Sequence, residues 1–103
     1  MVKIICSALY IRDGNEHQNQ PVNIDTGFIV CGRRHSDCYY TISLMGNKEY
    51  KHMVGGRSGQ GFLTTDNRFV DRKEAYTIAK SAGQLLHDLH DLSNPQLCSE
   101  DLW

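Results

Sequence analysis

The sequence lacks a long apolar stretch: no run approaches the ~20 residues that a helix needs to cross a bilayer, so a membrane-spanning class does not fit. An excess of one charge sign is missing as well. The formal net charge is -1, which argues against a protein that coats a DNA or RNA polymer. No C-x-x-C pair occurs among Cys6, Cys31, Cys38 and Cys98, so the commonest zinc spacings are absent, no metal site is expected, and the cysteines read as reduced thiols. There is neither a G-K-[ST] loop ending nor a dinucleotide fingerprint, which excludes a P-loop NTPase and a Rossmann enzyme, and no cofactor is expected. A nucleophile elbow is missing too, along with any paired-carboxylate signature, so no catalytic residue is assigned. The opening MVKIICSALYI has no long h-region and no small-residue cleavage site, and a secretory signal is not expected. Internal repeats and low-complexity segments are absent.

What is present suits one small globular unit. The 103 residues are 40% hydrophobic and 22% charged, enough for one core and a single domain over 1–103. The charges are unevenly placed. Residues 33–73 carry eight Lys and Arg against four acids, whereas residues 74–103 carry one Lys against five acids. Such a division suits either an anion site in the middle or attraction between the two halves.

The coarse pattern is α+β: a small antiparallel sheet with two helices, in the order β-β-α-β-β-α, followed by a C-terminal tail. VKIICSALYI (2–11) is a β-rich run ending at the turn sequence Arg12-Asp13-Gly14-Asn15, and GFIVCG (27–32) is a second strand that pairs with it. The polar EHQNQPVNIDT between them is expected to be a surface loop. Ser36 is placed to cap a helix over 37–45, which Gly46-Asn47 ends. KEYKHMVGGRSGQG is expected to be a loop, and a hairpin of 61–64 with 68–70 turns at Thr65-Asp66-Asn67. Asp71 with Glu74 three residues later opens a helix carrying Ala75, Ile78, Ala79 and Ala82 at helical spacing.

Several groups could carry chemistry. Gly32-Arg33-Arg34-His35-Ser36-Asp37 lies where a strand hands over to a helix, and backbone N–H groups with a guanidinium there favour phosphate. The bland reading is that Arg34 pairs with a C-terminal acid and His35 is half-buried. Gly55, Gly56, Gly59 and Gly61 could admit a ligand close to the backbone, or simply form a connector. Phe62 beside those glycines, with Arg68 and Arg72 nearby, could stack on a base at ~1–3 kcal/mol, whereas Phe69 is assigned to the core. Of Tyr39 and Tyr40, one should face the core and the other solvent or an interface. His87, Asp88, His90 and Asp91 offer two metal ligands per turn without a third, and a solvated helix end is the plainer reading. Cys38 and His35 are three apart, yet a reactive thiolate needs an activator and an oxyanion site.

Taken together, Gly32-x-Arg34-His35-x-Asp37, the run QGFLT-x-D-x-RFVDR-x-EA-x-x-IA-x-x-AGQ from Gln60 to Gln84, and the terminal Ser99 to Trp103 resemble the phage anti-Thoeris signal-sponge family of the first-described type. EHQNQPVNIDT, Tyr39-Tyr40 and LLHDLHDL depart from that pattern. The resemblance implies a non-enzymatic phage protein in the host bacterial cytoplasm. It would bind a cyclic ADP-ribose isomer, or a cyclic oligonucleotide, and hold it uncleaved. It also implies a homo-oligomer, with Leu102 and Trp103 reaching a neighbouring chain. The expected ligand-binding residues are Arg34, His35, Gly61, Phe62, Arg68 and Arg72: phosphate or ribose on Arg34 and His35, a base on Phe62, and Arg68 or Arg72 balancing the charge. Two other readings stand beside it, a phage protein that inhibits a host protein by contact and a nucleotide-acting enzyme with His35 or His87 as base.

Overall fold

A computed structural model describes residues 1–86 and 96–102. Four strands form one antiparallel sheet in the order β2-β1-β3-β4: β1 Ile4–Ile11, β2 Phe28–Gly32, β3 Gln60–Thr64 and β4 Phe69–Asp71. Three helices accompany it among the described residues, α1 His35–Leu44, α2 Tyr50–Met53 and α3 Arg72–Ser81. The α+β class and the strand–helix order are as expected, with α2 the addition.

Strand pleating decides which side chains meet the helices. Ser7, Leu9 and Ile11 of β1 share a face with their partners Gly32, Val30 and Phe28, and also with Phe62, which pairs with Ser7 and Val70. An irregularity between Ile4 and Cys6 restores Ile4 to the same face, opposite Thr64. Two clusters result. Leu9, Ile11, Val30, Cys38, Ile42 and Val54 pack under α1, while Ile4, Phe62, Val70, Ala75, Tyr76, Ala79, Leu97 and Leu102 pack under α3. Leu102 therefore belongs to this chain's own core at 8% exposure, and its expected reach to a neighbouring chain is corrected: its apolar surface is already covered.

Local chemistry explains the element ends. Asp71 accepts a hydrogen bond from the Glu74 N–H (2.8 Å), capping α3 as expected, an interaction worth about 1 kcal/mol. α3 closes at Gly83, whose φ of +69° suits glycine. At α1 the cap is Arg34 rather than Ser36: the Asp37 carboxylate reaches back to accept from the Arg34 N–H at 3.1 Å. The β3–β4 hairpin turns where expected, with Asn67 in the left-handed region (φ +61°).

Two expected loops are more built than the sequence suggests. In the segment joining β1 to β2, Asn23 bonds both the N–H (2.9 Å) and the carbonyl (2.7 Å) of Phe69. The connection thus protects the outer edge of β4 rather than lying loose on the surface. The glycine-rich segment forms α2 and a 3-10 turn, Gly56–Gly59, and Arg12 clamps it by donating to the carbonyls of Val54 (2.9 Å) and Ser58 (3.3 Å). Gly59 is required by packing, since a Cβ there would fall 1.6 Å from the Val54 carbonyl oxygen.

Candidate functional site

The structure brings five of the six expected binding residues to one place, around His35 at the start of α1. His35 lies between β3 and the C-terminal segment. Its Nε2 faces the Gly61 carbonyl oxygen at 2.8 Å and its Nδ1 faces Ser99 Oγ at 2.7 Å. A carbonyl only accepts, so Nε2 carries the proton and Nδ1 accepts from the Ser99 hydroxyl in the neutral ring. Ser99 Oγ also accepts from the His35 backbone N–H (3.2 Å), and the single proton of the Ser7 hydroxyl is shared between Ser99 Oγ (2.9 Å) and the Arg33 carbonyl (3.1 Å). Ser7 and Ser99 are both buried. The chain Gly61–His35–Ser99–Ser7 thereby pins the tail to the middle of the sheet.

The electrostatics match this interior position. Burial pushes the His35 pKa below its ordinary value, because imidazolium is poorly solvated there. The bond to Gly61 opposes that shift, the Arg72 charge adds to it, and Glu100 opposes it. Both ring nitrogens face internal partners, so His35 presents neither to an external substrate.

Phe62 meets the His35 ring edge-on, with centroids 5.0 Å apart and planes at 79°. It is 0% exposed. Base stacking needs an open ring face, and the expected ligand-facing role of Phe62 is corrected to a core role. Gly61 is likewise explained by packing: a Cβ would stand 2.1 Å from the Val70 carbonyl oxygen and 2.7 Å from the Phe69 ring. Arg72 donates to the Leu97 carbonyl (3.0 Å) and to Gln60 Oε1 (2.8 Å), and Gln60 in turn donates to the Tyr39 hydroxyl (3.0 Å). The Arg72 carbonyl accepts from the Leu97 N–H at 2.9 Å. Arg72 is thus a clasp between α3 and the tail. Arg34 adjoins this group as the α1 cap. Arg68 stands apart beside the hairpin turn, paired with Asp66 (2.8 Å) and Glu74 (2.9 Å). His87, His90, Asp88 and Asp91 lie outside the described residues, and among the described residues no group of three metal-ligating side chains occurs.

An open concavity lies elsewhere. A cavity of about 610 Å³ separates α1 from α2, lined by Tyr39, Ile42, Ser43, Gly46, Asn47, Lys48 and Lys51. Its shape follows from the turn after α1. Gly46 takes φ +78°, and Asn47 Oδ1 accepts from the Glu49 N–H (3.0 Å), so the chain doubles back into α2. Ile42 supplies a buried apolar floor. Tyr39 contributes an aromatic wall whose hydroxyl is fixed by Gln60. Lys48 and Lys51 stand exposed at the rim, and neither joins an ion pair among the described residues. The volume falls in the ~300–1,000 Å³ range of small-molecule sites. The sequence carries little sign of this cleft: Lys48 and Lys51 belong to a broadly basic stretch, and the four residues of α2 are too few to show a helical repeat.

A family model for the phage T4 y16D protein matches residues 3–103. The chain belongs to that family. Phage origin follows for a chain whose described residues contain no helix long and apolar enough to cross a membrane. Searches of curated proteins and of solved structures return no match. The family assignment covers nearly the whole chain, including the cleft and the clasp around His35.

Proposed function

We propose that this member of the y16D family is a binding protein that sequesters a small phosphorylated signal, of the cyclic ADP-ribose or cyclic oligonucleotide class, inside the infected bacterium and leaves it uncleaved. The observation that carries the reading is the α1–α2 cleft. It combines an apolar floor at Ile42, an aromatic wall at Tyr39, polar groups at Ser43 and Asn47, and two ammonium groups at Lys48 and Lys51 within about 610 Å³. A nucleotide-type ligand offers the complementary parts, a flat base for the ring and phosphates for the lysines. Relative to the sequence expectation, the ligand class stays the same and the site moves from Arg34, His35 and Phe62 to this cleft. The resemblance to the signal-sponge family and the phage origin support the same class.

Calorimetry with a cyclic ADP-ribose isomer tests the reading. Wild-type protein is expected to release heat and to return the nucleotide unaltered after heating. Lys48→Ala with Lys51→Ala should weaken binding about tenfold or more, since hydrogen bonds to charged groups contribute ~1.5–3 kcal/mol. Absence of heat, or recovery of a changed nucleotide, overturns it.

A second reading rests on a different observation. Tyr40, Leu44 and Met45 are 66%, 69% and 41% exposed on and just after α1, an apolar surface suited to a protein partner or a second copy of the chain. Capture of a host protein that survives nucleotide removal and fails with Leu44→Glu would favour it over sequestration.

A further inference from the structure

Gln60 joins the clasp around His35 to the cleft between α1 and α2. It opens β3 opposite Leu9, so its side chain lies on the helix face of the sheet. Arg72 Nη2 donates to Gln60 Oε1 at 2.8 Å, and Gln60 Nε2 donates to the Tyr39 hydroxyl at 3.0 Å. Arg72 is itself anchored, since its Nη1 donates to the Leu97 carbonyl at 3.0 Å. Tyr39 lines the cleft together with Ile42 and Ser43, which fall on the same face of α1.

The direction of each proton in this row follows from its first member. A guanidinium carries donors and no acceptor, so only the amide oxygen of Gln60 can face Arg72. The amide is planar, and its nitrogen then faces Tyr39. Against that donor the Tyr39 oxygen accepts. Its single phenolic proton is not used in this contact, and among the described residues no other group accepts it. Glutamine is the side chain that sets this polarity at this length. A carboxylate in its place would accept from both neighbours, and an aliphatic chain would bond neither.

We propose that Gln60 is a positioning residue for the cleft: held by Arg72, it makes the Tyr39 hydroxyl an acceptor within the chain and thereby a donor to the bound ligand. The inference rests on the cleft being the nucleotide site. It adds a requirement on that ligand. The atom that meets Tyr39 is a hydrogen-bond acceptor, such as a ring nitrogen, a carbonyl or a phosphate oxygen, and a group with only protons to give is turned away. Lys48 and Lys51 attract an anion through flexible stems with rotating donors, whereas Tyr39 offers one donor in a fixed direction. The tail bears on the same point, because Leu97 holds Arg72 and Arg72 holds Gln60.

The experiment reads the free protein first and the complex second. The Raman Fermi doublet of tyrosine has a high intensity ratio when the phenolic oxygen accepts and a low one when the hydroxyl donates. Subtracting the Tyr39→Phe spectrum isolates Tyr39 from the other tyrosines. Gln60→Glu keeps an acceptor for Arg72 but presents a second acceptor to Tyr39, so the Tyr39 ratio should fall. Gln60→Met, of similar length with neither partner, should lower it less. A ratio unchanged in both variants would overturn the proposal. Calorimetry with a cyclic ADP-ribose isomer then completes a double-mutant cycle. Tyr39→Phe and Gln60→Glu should each weaken binding about tenfold, and Gln60→Glu should add little in Tyr39→Phe protein. A full further loss in that background would show that Gln60 acts by charge or packing and not through Tyr39, which overturns the proposal and leaves the cleft as the site. Absence of heat with wild-type protein would overturn the sequestration reading itself, and this inference with it, whatever the doublet shows.

Discussion

Around His35 the polar side chains turn inward: His35, Ser7, Ser99, Gln60 and Arg72 each reach a partner within the chain. Between α1 and α2 they turn outward, and Lys48 and Lys51 flank a cavity floored by Ile42. Both regions are built from residues that bind ligands in other settings. Residue type therefore does not separate a site from a brace; the satisfaction of its hydrogen-bonding groups does. A guanidinium already holding Leu97 and Gln60 would have to surrender two bonds before taking a phosphate, whereas an exposed ammonium gives up only water.

The comparison breaks most sharply at Phe62. If Phe62 is core, Phe62→Ala removes a wholly buried ring and should destabilise the fold by about 3–5 kcal/mol, seen as a lowered denaturant midpoint. A ligand-facing Phe62 would instead tolerate alanine with little change in stability.

Next in size is Ser99→Ala. It leaves His35 Nδ1 without its hydroxyl donor and removes the contact to Ser7, all within the interior. The expected loss is about 1–3 kcal/mol, the cost of a buried polar group left unmatched. Hydrogen exchange should show the 96–102 segment opening before the sheet, because among the described residues only Arg72 would then clasp the tail by a side-chain bond from outside it.

Titration sharpens the same contrast with a smaller effect. The His35 pKa is depressed in the folded chain, so the unfolded chain takes up its proton first as pH falls. Within the window below the ordinary value of 6.5 and above the lowered folded value, the unfolded state binds more protons. Stability there rises with pH and is lost as pH falls. Melting temperature should drop between about pH 7.5 and about pH 5.5, and His35→Gln should flatten that slope. Asp13 and Asp66 are lowered from 3.8, so their contributions belong to more acidic conditions. A wild-type slope that persists in His35→Gln would show that His35 is not the titrating brace.

These contrasts also mark what was legible in the sequence. Asp71 with Glu74, the Asn67 turn and the two apolar runs that became β1 and β2 are local signals, carried within a few residues, and each appears where expected. Arg34, His35, Gly61, Phe62 and Arg72 also lie together, but around a packed interior and not an open cleft. What fills that space is Ser99 and Leu97, which arrive from the far end of the chain by contacts spanning 64 and 25 residues. Periodicity carries no record of such distant partners. The α1–α2 cleft is illegible in the sequence for the opposite reason: it depends on a four-residue helix, Tyr50–Met53, too short to show a repeat.

The smallest expected effect on stability decides most about function. Lys48→Ala with Lys51→Ala removes two exposed side chains that join no ion pair among the described residues. Surface changes of this kind usually stay within ±0.5 kcal/mol. The double variant should therefore unfold at nearly the wild-type denaturant concentration and show an unchanged far-ultraviolet spectrum, while nucleotide binding falls. That pattern is the reverse of the one expected for Phe62→Ala or Ser99→Ala. If the lysine variant instead loses stability as Ser99→Ala does, then Lys48 and Lys51 brace α2 against α1. The two regions would then differ in solvent exposure alone, and the cleft would lose its claim to be the binding site.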